Sequence, residues 1–233
     1  MRKLLITLAV LAVILVGLDI GGRIFAENKL ASELGKQAEL PAEPTLDIGG
    51  FSFLWQVVDG DYDHVALTLP QVPVGAFGDV AANVDAYGVA LTISDIVGGR
   101  IDSVTAEKVT VRAAVPFAAL AKVFDSPDVS ITAGANSTLL VKSTLAAAGR
   151  TYDVTAQVTP TVRKNVLYLK ADKVVDSTGI PTALASTFLS GLTVNYPLKG
   201  LPVTIDAGQA VVIGDALVLS ASSLNVPIGS LLQ

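Results

Sequence analysis

Three textures of apolar and polar residues follow one another along the chain. Residues 4–18, LLITLAVLAVILVGL, form an uncharged apolar run that Arg2 and Lys3 precede and Asp19 stops. Next, Ile24, Leu30 and Leu34 recur at helical spacing, which predicts a helix over about residues 22–40 that continues from the run and ends at Pro41 and Pro44. From residue 62 the pattern changes to alternation: Val65, Leu67 and Leu69 interleave with His64, Ala66 and Thr68. Similar Val/Ile/Thr-rich runs cover 84–97, 100–115, 137–149, 150–160, 163–175 and 209–226. Gly98-Gly99 and Gly149-Arg150 supply turns between them. Long strands joined by short turns predict an antiparallel meander.

Two helical patterns interrupt the strands. Pro116 can open a helix in which Phe117, Leu120 and Phe124 share a face, with Ser126-Pro127 as its stop. Ile180, Leu184 and Phe188 share a face in a second, with Gly191 suited to its C-terminal cap. The fold class expected is α+β, a large curved antiparallel sheet with a few amphipathic helices against it.

Residues 49–67, GGFSFLWQVVDGDYDHVAL, hold the only Trp and the only His. Phe51, Leu54, Trp55 and Val58 follow i, i+3, i+4, i+7 spacing, and Gly60 suits a helix stop, so a short helix is preferred over a strand. The acidic half beyond it invites a calcium reading, with Asp59, Asp61 and Asp63 at alternate positions. The sixth loop position is then His64 instead of Gly and the twelfth Pro70 instead of Glu, so the match fails where it is most specific. An acidic turn leading into a strand is the better reading.

Composition narrows the chemistry. The chain is 51% hydrophobic and only 16% charged, unusually apolar for a soluble protein. Fifteen residues of helix span roughly 22 Å, short of a hydrocarbon core of roughly 30 Å, which favours an export signal over an independent spanning helix. Residues 1–26 are therefore read as a cleaved signal or an uncleaved signal-anchor, and 27–233 as one exported domain held to the periplasmic side of the plasma membrane or released there. The absence of Cys excludes a disulfide framework, a lipid-modified cysteine and thiol catalysis. A formal net charge of −5 makes nucleic acid a poor partner, and leaves any contact with lipid to apolar surface. His64 lies opposite Val65 and Leu67 on the predicted strand, facing away from the core, so no Ser-His-Asp site is built on it. No catalytic residue, metal ligand or cofactor is assigned. What remains is an apolar interior, able to hold acyl chains at roughly 0.8 kcal/mol per buried CH₂. The candidate lipid-binding residues are Phe51, Leu54, Trp55, Val58, Phe117, Leu120, Phe124, Leu184 and Phe188.

An export segment, a helix and then Gly50, Phe51, Phe53, Leu54, Gln56, Gly60, Tyr62 and the strand Val65 to Leu69 resemble the pattern of the actinobacterial LmeA-like, lipomannan-elongation envelope family. Ser52 stands where many relatives are expected to carry Pro. The resemblance implies an extracytoplasmic protein that binds phospholipid and supports maturation of mannosylated inositol lipids. It implies a fold similar to tubular lipid-binding proteins, a curved sheet wrapped around a long helix, and brings no catalytic residues with it. Expected partners are phospholipid or glycolipid acyl chains, the membrane surface and envelope glycosyltransferases. A ligand-free scaffold for such a glycosyltransferase is the alternative, and a carboxylate-dependent hydrolase a more distant one.

Overall fold

A computed structural model of the chain describes residues 2–98, 104–124, 128–147, 149–177, 180–198 and 207–227. It confirms the α+β class: helices accompany a large antiparallel sheet that does not close into a barrel. The strand order is β1-β2-β3-β4-β11-β10-β7-β6-β5, with β8 on β7 and β9 on β8. The strands are β1 (Thr45–Gly49), β2 (Asp61–Pro73), β3 (Asp79–Ala90), β4 (Thr105–Pro116), β5 (Ser130–Ala133), β6 (Leu139–Ala147), β7 (Arg150–Arg163), β8 (Val166–Ser177), β9 (Val194–Pro197), β10 (Ala207–Ile213) and β11 (Ala216–Pro227). The chain forms two compact units: one of residues 1–70, 83–110 and 223–233, the other of 71–82 and 111–222. Four strands, β2, β3, β4 and β11, each contribute a part to both.

The first unit carries the helices α1 (Arg2–Gln37), α2 (Phe53–Asp59) and α3 (Ile93–Gly98). Helix α1 is continuous from the apolar run through the predicted helix. Its C-terminal half packs on β1, burying Ala26, Leu30 and Ala31 on one side and Leu46 and Ile48 on the other. A polar seam fixes that contact. Arg23 reaches Glu27 at 2.8 Å and Asp47 at 3.0 Å, while the Glu27 carboxylate accepts the Ile48 N–H at 2.9 Å. Helix α3 corrects the strand reading of 84–97. That run ends as a strand at Ala90, and Asp95 then caps a short helix by accepting the Thr92 N–H at 3.2 Å. The Thr92-x-x-Asp95 spacing is a helix-start signal that outweighs the β-branched residues around it.

The second unit is built on β7, whose inward positions Val154, Ala156, Val158 and Val162 alternate with outward Thr and Gln. Period-two alternation places one face on the core. Leu139 and Val141 of β6, Leu167 and Leu169 of β8 and Leu217 and Leu219 of β11 meet them. Helix α4 (Phe117–Leu120), a following 3₁₀ turn and α5 (Thr182–Gly191) complete this unit. Two hairpin turns differ from the sequence pattern: the one between the runs 150–160 and 163–175 falls later than their boundary, and the run 209–226 contains one that the pattern does not divide. Lys164 and Asn165, both at positive φ, divide β7 from β8, and Gly214-Asp215 splits the run 209–226 into β10 and β11. The cap of α5 also differs from expectation. Leu192, in right-handed conformation, takes the place predicted for Gly191, which closes the helix itself. The Ser126-Pro127 stop and Gly99 lie outside the described residues.

Candidate functional site

Helix α2 forms where the spacing predicts it, but it begins two residues after Phe51, at Phe53, and its apolar stripe turns outward. Ser52 is the N-cap, its hydroxyl accepting the Trp55 N–H at 3.3 Å, and Gly60 closes the helix in the left-handed conformation at φ 71. Phe51 therefore precedes the helix. Ser52 itself sits at φ 50, a backbone angle that the fixed ring of proline excludes, so this loop requires a residue other than Pro.

The face turned inward carries Phe53 and Gln56. Phe53 packs 6.2 Å from the ring of Tyr62, and Gly22 of α1 lies directly under it. Gln56 uses its amide at both ends, donating to the Gly49 carbonyl at 3.2 Å and accepting from the Asp63 N–H at 3.0 Å. Gly50, at φ 102, makes room for that amide: a Cβ there would lie 2.6 Å from Asp63 and 2.9 Å from Gln56. The outward face is apolar. Phe51 is 92% exposed, Trp55 66% and Val58 75%, with Leu54 half-buried beside them.

Asp19, the residue that ends the apolar run, locks α2 to α1. One of its oxygens accepts the Leu54 N–H at 2.7 Å and the Ser52 hydroxyl at 3.0 Å. The Leu54 N–H, ahead of the other contacts, holds the carboxyl below the usual carboxylate range. The Asp19 carboxylate thus supplies a second cap to a helix that already has Ser52, as anions do at helix N-termini.

The remaining candidates belong to the second unit. Phe117, Leu120, Phe124 and Phe188 come together in its hydrophobic core, and Leu184 is half-buried on α5. Ser186, Thr187 and Ser190 of α5 turn their hydroxyls back onto their own helix carbonyls, and Phe188 is its one buried side chain among the described residues. The α5 face that meets the sheet is thus a narrow one.

Two features escaped sequence reasoning. Tyr62 is fully buried in the first unit, its hydroxyl has no hydrogen-bond partner among the described residues, and burial pushes its phenol up to about 12. His64, expected on an open face, is half-buried: its Nε2 lies 3.1 Å from Asp85 and its ring stacks on Tyr87 at 4.7 Å. The Lys108 ammonium lies over the Tyr87 ring, 5.9 Å from its centre. Cross-strand register put these groups together, and a single strand's alternation does not show which residues oppose one another. Among the described residues no three His, Asp or Glu side chains converge as metal ligands would.

A sequence model of the LmeA-like phospholipid-binding family matches residues 17–222. The chain belongs to that family. The match starts just before Asp19 and so includes α2, its clamp on α1 and nearly all of the sheet. No curated protein and no solved structure matches the chain. The family is a lipid-binding one, and phospholipid is the partner class it brings.

Proposed function

We propose that this LmeA-like protein is an extracytoplasmic phospholipid-binding or lipid-transfer protein that supports maturation of mannosylated inositol lipids and lipomannan in the cell envelope. The observation that carries the reading is the family match over residues 17–222, which falls on a sheet whose second unit encloses an extended apolar interior. A tubular lipid-binding arrangement is part of the proposal. Acyl chains enter the second unit beside α5, where Leu184 and Phe188 meet them, and Phe117, Leu120 and Phe124 line the depth of the site. The narrow buried face of α5 makes it the wall that yields. In the first unit Phe51, Leu54, Trp55 and Val58 face lipid from outside. The mechanism is sequestration, in which apolar contacts replace water around the chains and the headgroup stays at the polar rim.

The test is organic extraction of the purified full chain, followed by mass spectrometry for phospholipid and titration with a fluorescent acyl probe. Co-purified phospholipid and saturable probe uptake are expected. An extract without phospholipid, together with no uptake of the probe, would sink the proposal. A second reading, an envelope scaffold that docks a membrane glycosyltransferase and carries no lipid, draws on the exposed apolar face of α2. It predicts a lipid-free extract together with α2-dependent capture of that enzyme.

A further inference from the structure

Helix α2 reverses the usual order of a surface helix. Its polar Gln56 is inside and hydrogen-bonded, while Trp55 and Val58, with Phe51 just ahead of them, face outward. An amphipathic helix ordinarily turns its apolar stripe toward the core. Here the inward side is fully specified by Phe53, Gln56 and Gly50, so the outward placement of Trp55 is a built feature.

The neighbouring helix indicates what covers that face. Asp19 fastens the start of α2 to α1 at the point where the uncharged run 4–18 ends. The described part of that run is exposed around the helix, with Val13 at 72% and Leu18 at 56%. An exposed helix that is apolar all round is suited to lipid, and α2 is held at the level where it emerges. That level is the headgroup boundary, where aromatic side chains of membrane proteins concentrate. Arg2 and Lys3 mark the far end of the run. The exposed Asp59 and Asp61 flank the face, so it has no attraction for anionic headgroups and acts by apolar insertion.

We infer that Phe51, Trp55 and Val58 form a foot that sits in the headgroup boundary of a bilayer, at the base of an α1 that is retained as an anchor. Retention follows from the same contacts: removing residues 1–26 would take away Asp19, Arg23 and the buried Ala26, and with them the clamp on α2 and the seam to β1. The inference rests on the membrane-directed reading of α1 and is independent of lipid uptake by the sheet.

Trp55 is the only Trp, so its emission reports the foot directly. The full chain is reconstituted in phosphatidylcholine vesicles in which a varied fraction of the lipid is brominated near the headgroup. Emission is expected to be blue-shifted, to fall roughly twofold as the brominated fraction rises, and to be insensitive to salt. The double variant Phe51→Ser/Val58→Ser, whose side chains are exposed and so leave the fold intact, should lose most of that quenching. Three results would overturn the foot. The first is emission open to acrylamide and unquenched by bromolipid. The second is emission shielded from both, which means a protein partner covers the face. The third is quenching that saturates at one brominated lipid per chain, which means Trp55 touches a bound lipid and leaves lipid uptake standing. Conversely, fraction-dependent quenching with a lipid-free extract upholds the foot and sinks the uptake reading.

Discussion

Replacing Tyr62 by Phe removes one oxygen from the interior of the first unit. The side chain is fully buried and its hydroxyl has no partner among the described residues. A buried, unsatisfied hydroxyl costs about 1–3 kcal/mol, and the ring contact with Phe53 survives the substitution. Tyr62→Phe should therefore stabilise the first unit by about 1 kcal/mol, or about 2–4 °C in the unfolding midpoint of a chain this size. Trp55 emission, which reports this unit, is the readout. Alkaline titration gives an independent check. The folded phenol ionises at about 12 and the unfolded one near 10, so the neutral form is the one that folds. Its contribution is complete below pH 10 and is lost as pH rises through 12, by at most about 3 kcal/mol. Wild type should lose stability over that window more steeply than Tyr62→Phe, the difference isolating this phenol from the lysines. A variant destabilised by 1 kcal/mol or more at neutral pH would refute the reasoning, because it would show that the hydroxyl is hydrogen-bonded in the native protein.

Other substitutions probe the same architecture. Asp19→Ala removes the second cap of α2 and should cost about 1 kcal/mol, read as increased acrylamide access to Trp55 in detergent solution. Because the native Asp19 carboxyl is held low, its contribution is present above the ordinary carboxylate range and disappears as pH falls below it; the variant should be insensitive to that acid step. Gly50→Ala introduces a Cβ at φ 102 within 2.6 Å of Asp63 and should destabilise by more than about 1 kcal/mol in denaturant titration. Leu120→Ala, at a fully buried position, should cost about 2–5 kcal/mol, whereas Leu184→Ala should cost less and chiefly weaken uptake of the acyl probe.

Local signals in the sequence carried the fold a long way. The alternation of β6, β7 and β8, the inward turn of Phe117 and Leu120 and the stop at Gly60 each rest on neighbours within a few residues, and each reappears in the structure; the helix expected to carry Phe124 as well ends at Leu120, and Phe124 joins the core from extended backbone after a 3₁₀ turn. The errors fall where a local signal competes with another or needs a partner strand. Thr92-x-x-Asp95 outweighed Val and Ile, Gly214-Asp215 was hidden in an apolar run, and His64 meets Asp85 and Tyr87 only through strand pairing. Periodicity also states which residues share a helix face without stating which way that face turns. In α4 the apolar face goes inward, but in α2 it goes outward, because Phe53, Gln56 and Gly50 satisfy the interior and Asp19 fixes the helix from the other side.

That outward turn bears on function more than any single buried aromatic does. A lipid-binding protein has to meet two apolar phases, the bilayer from which lipid comes and the interior that receives it. Residues that serve the second are hard to tell from an ordinary core, since Phe117, Phe124 and Phe188 are packed as core residues are. Residues that serve the first are conspicuous, because water penalises them until lipid covers them. Phe51, Trp55 and Val58 carry that penalty on a helix whose other contacts are all satisfied, next to the run of the chain best suited to lipid. A protein that only filled its core would gain by turning Trp55 inward and Gln56 out. This chain does the reverse and holds the reversal with a carboxylate from the edge of its apolar run, and the proposed foot in a bilayer is what would make that arrangement favourable.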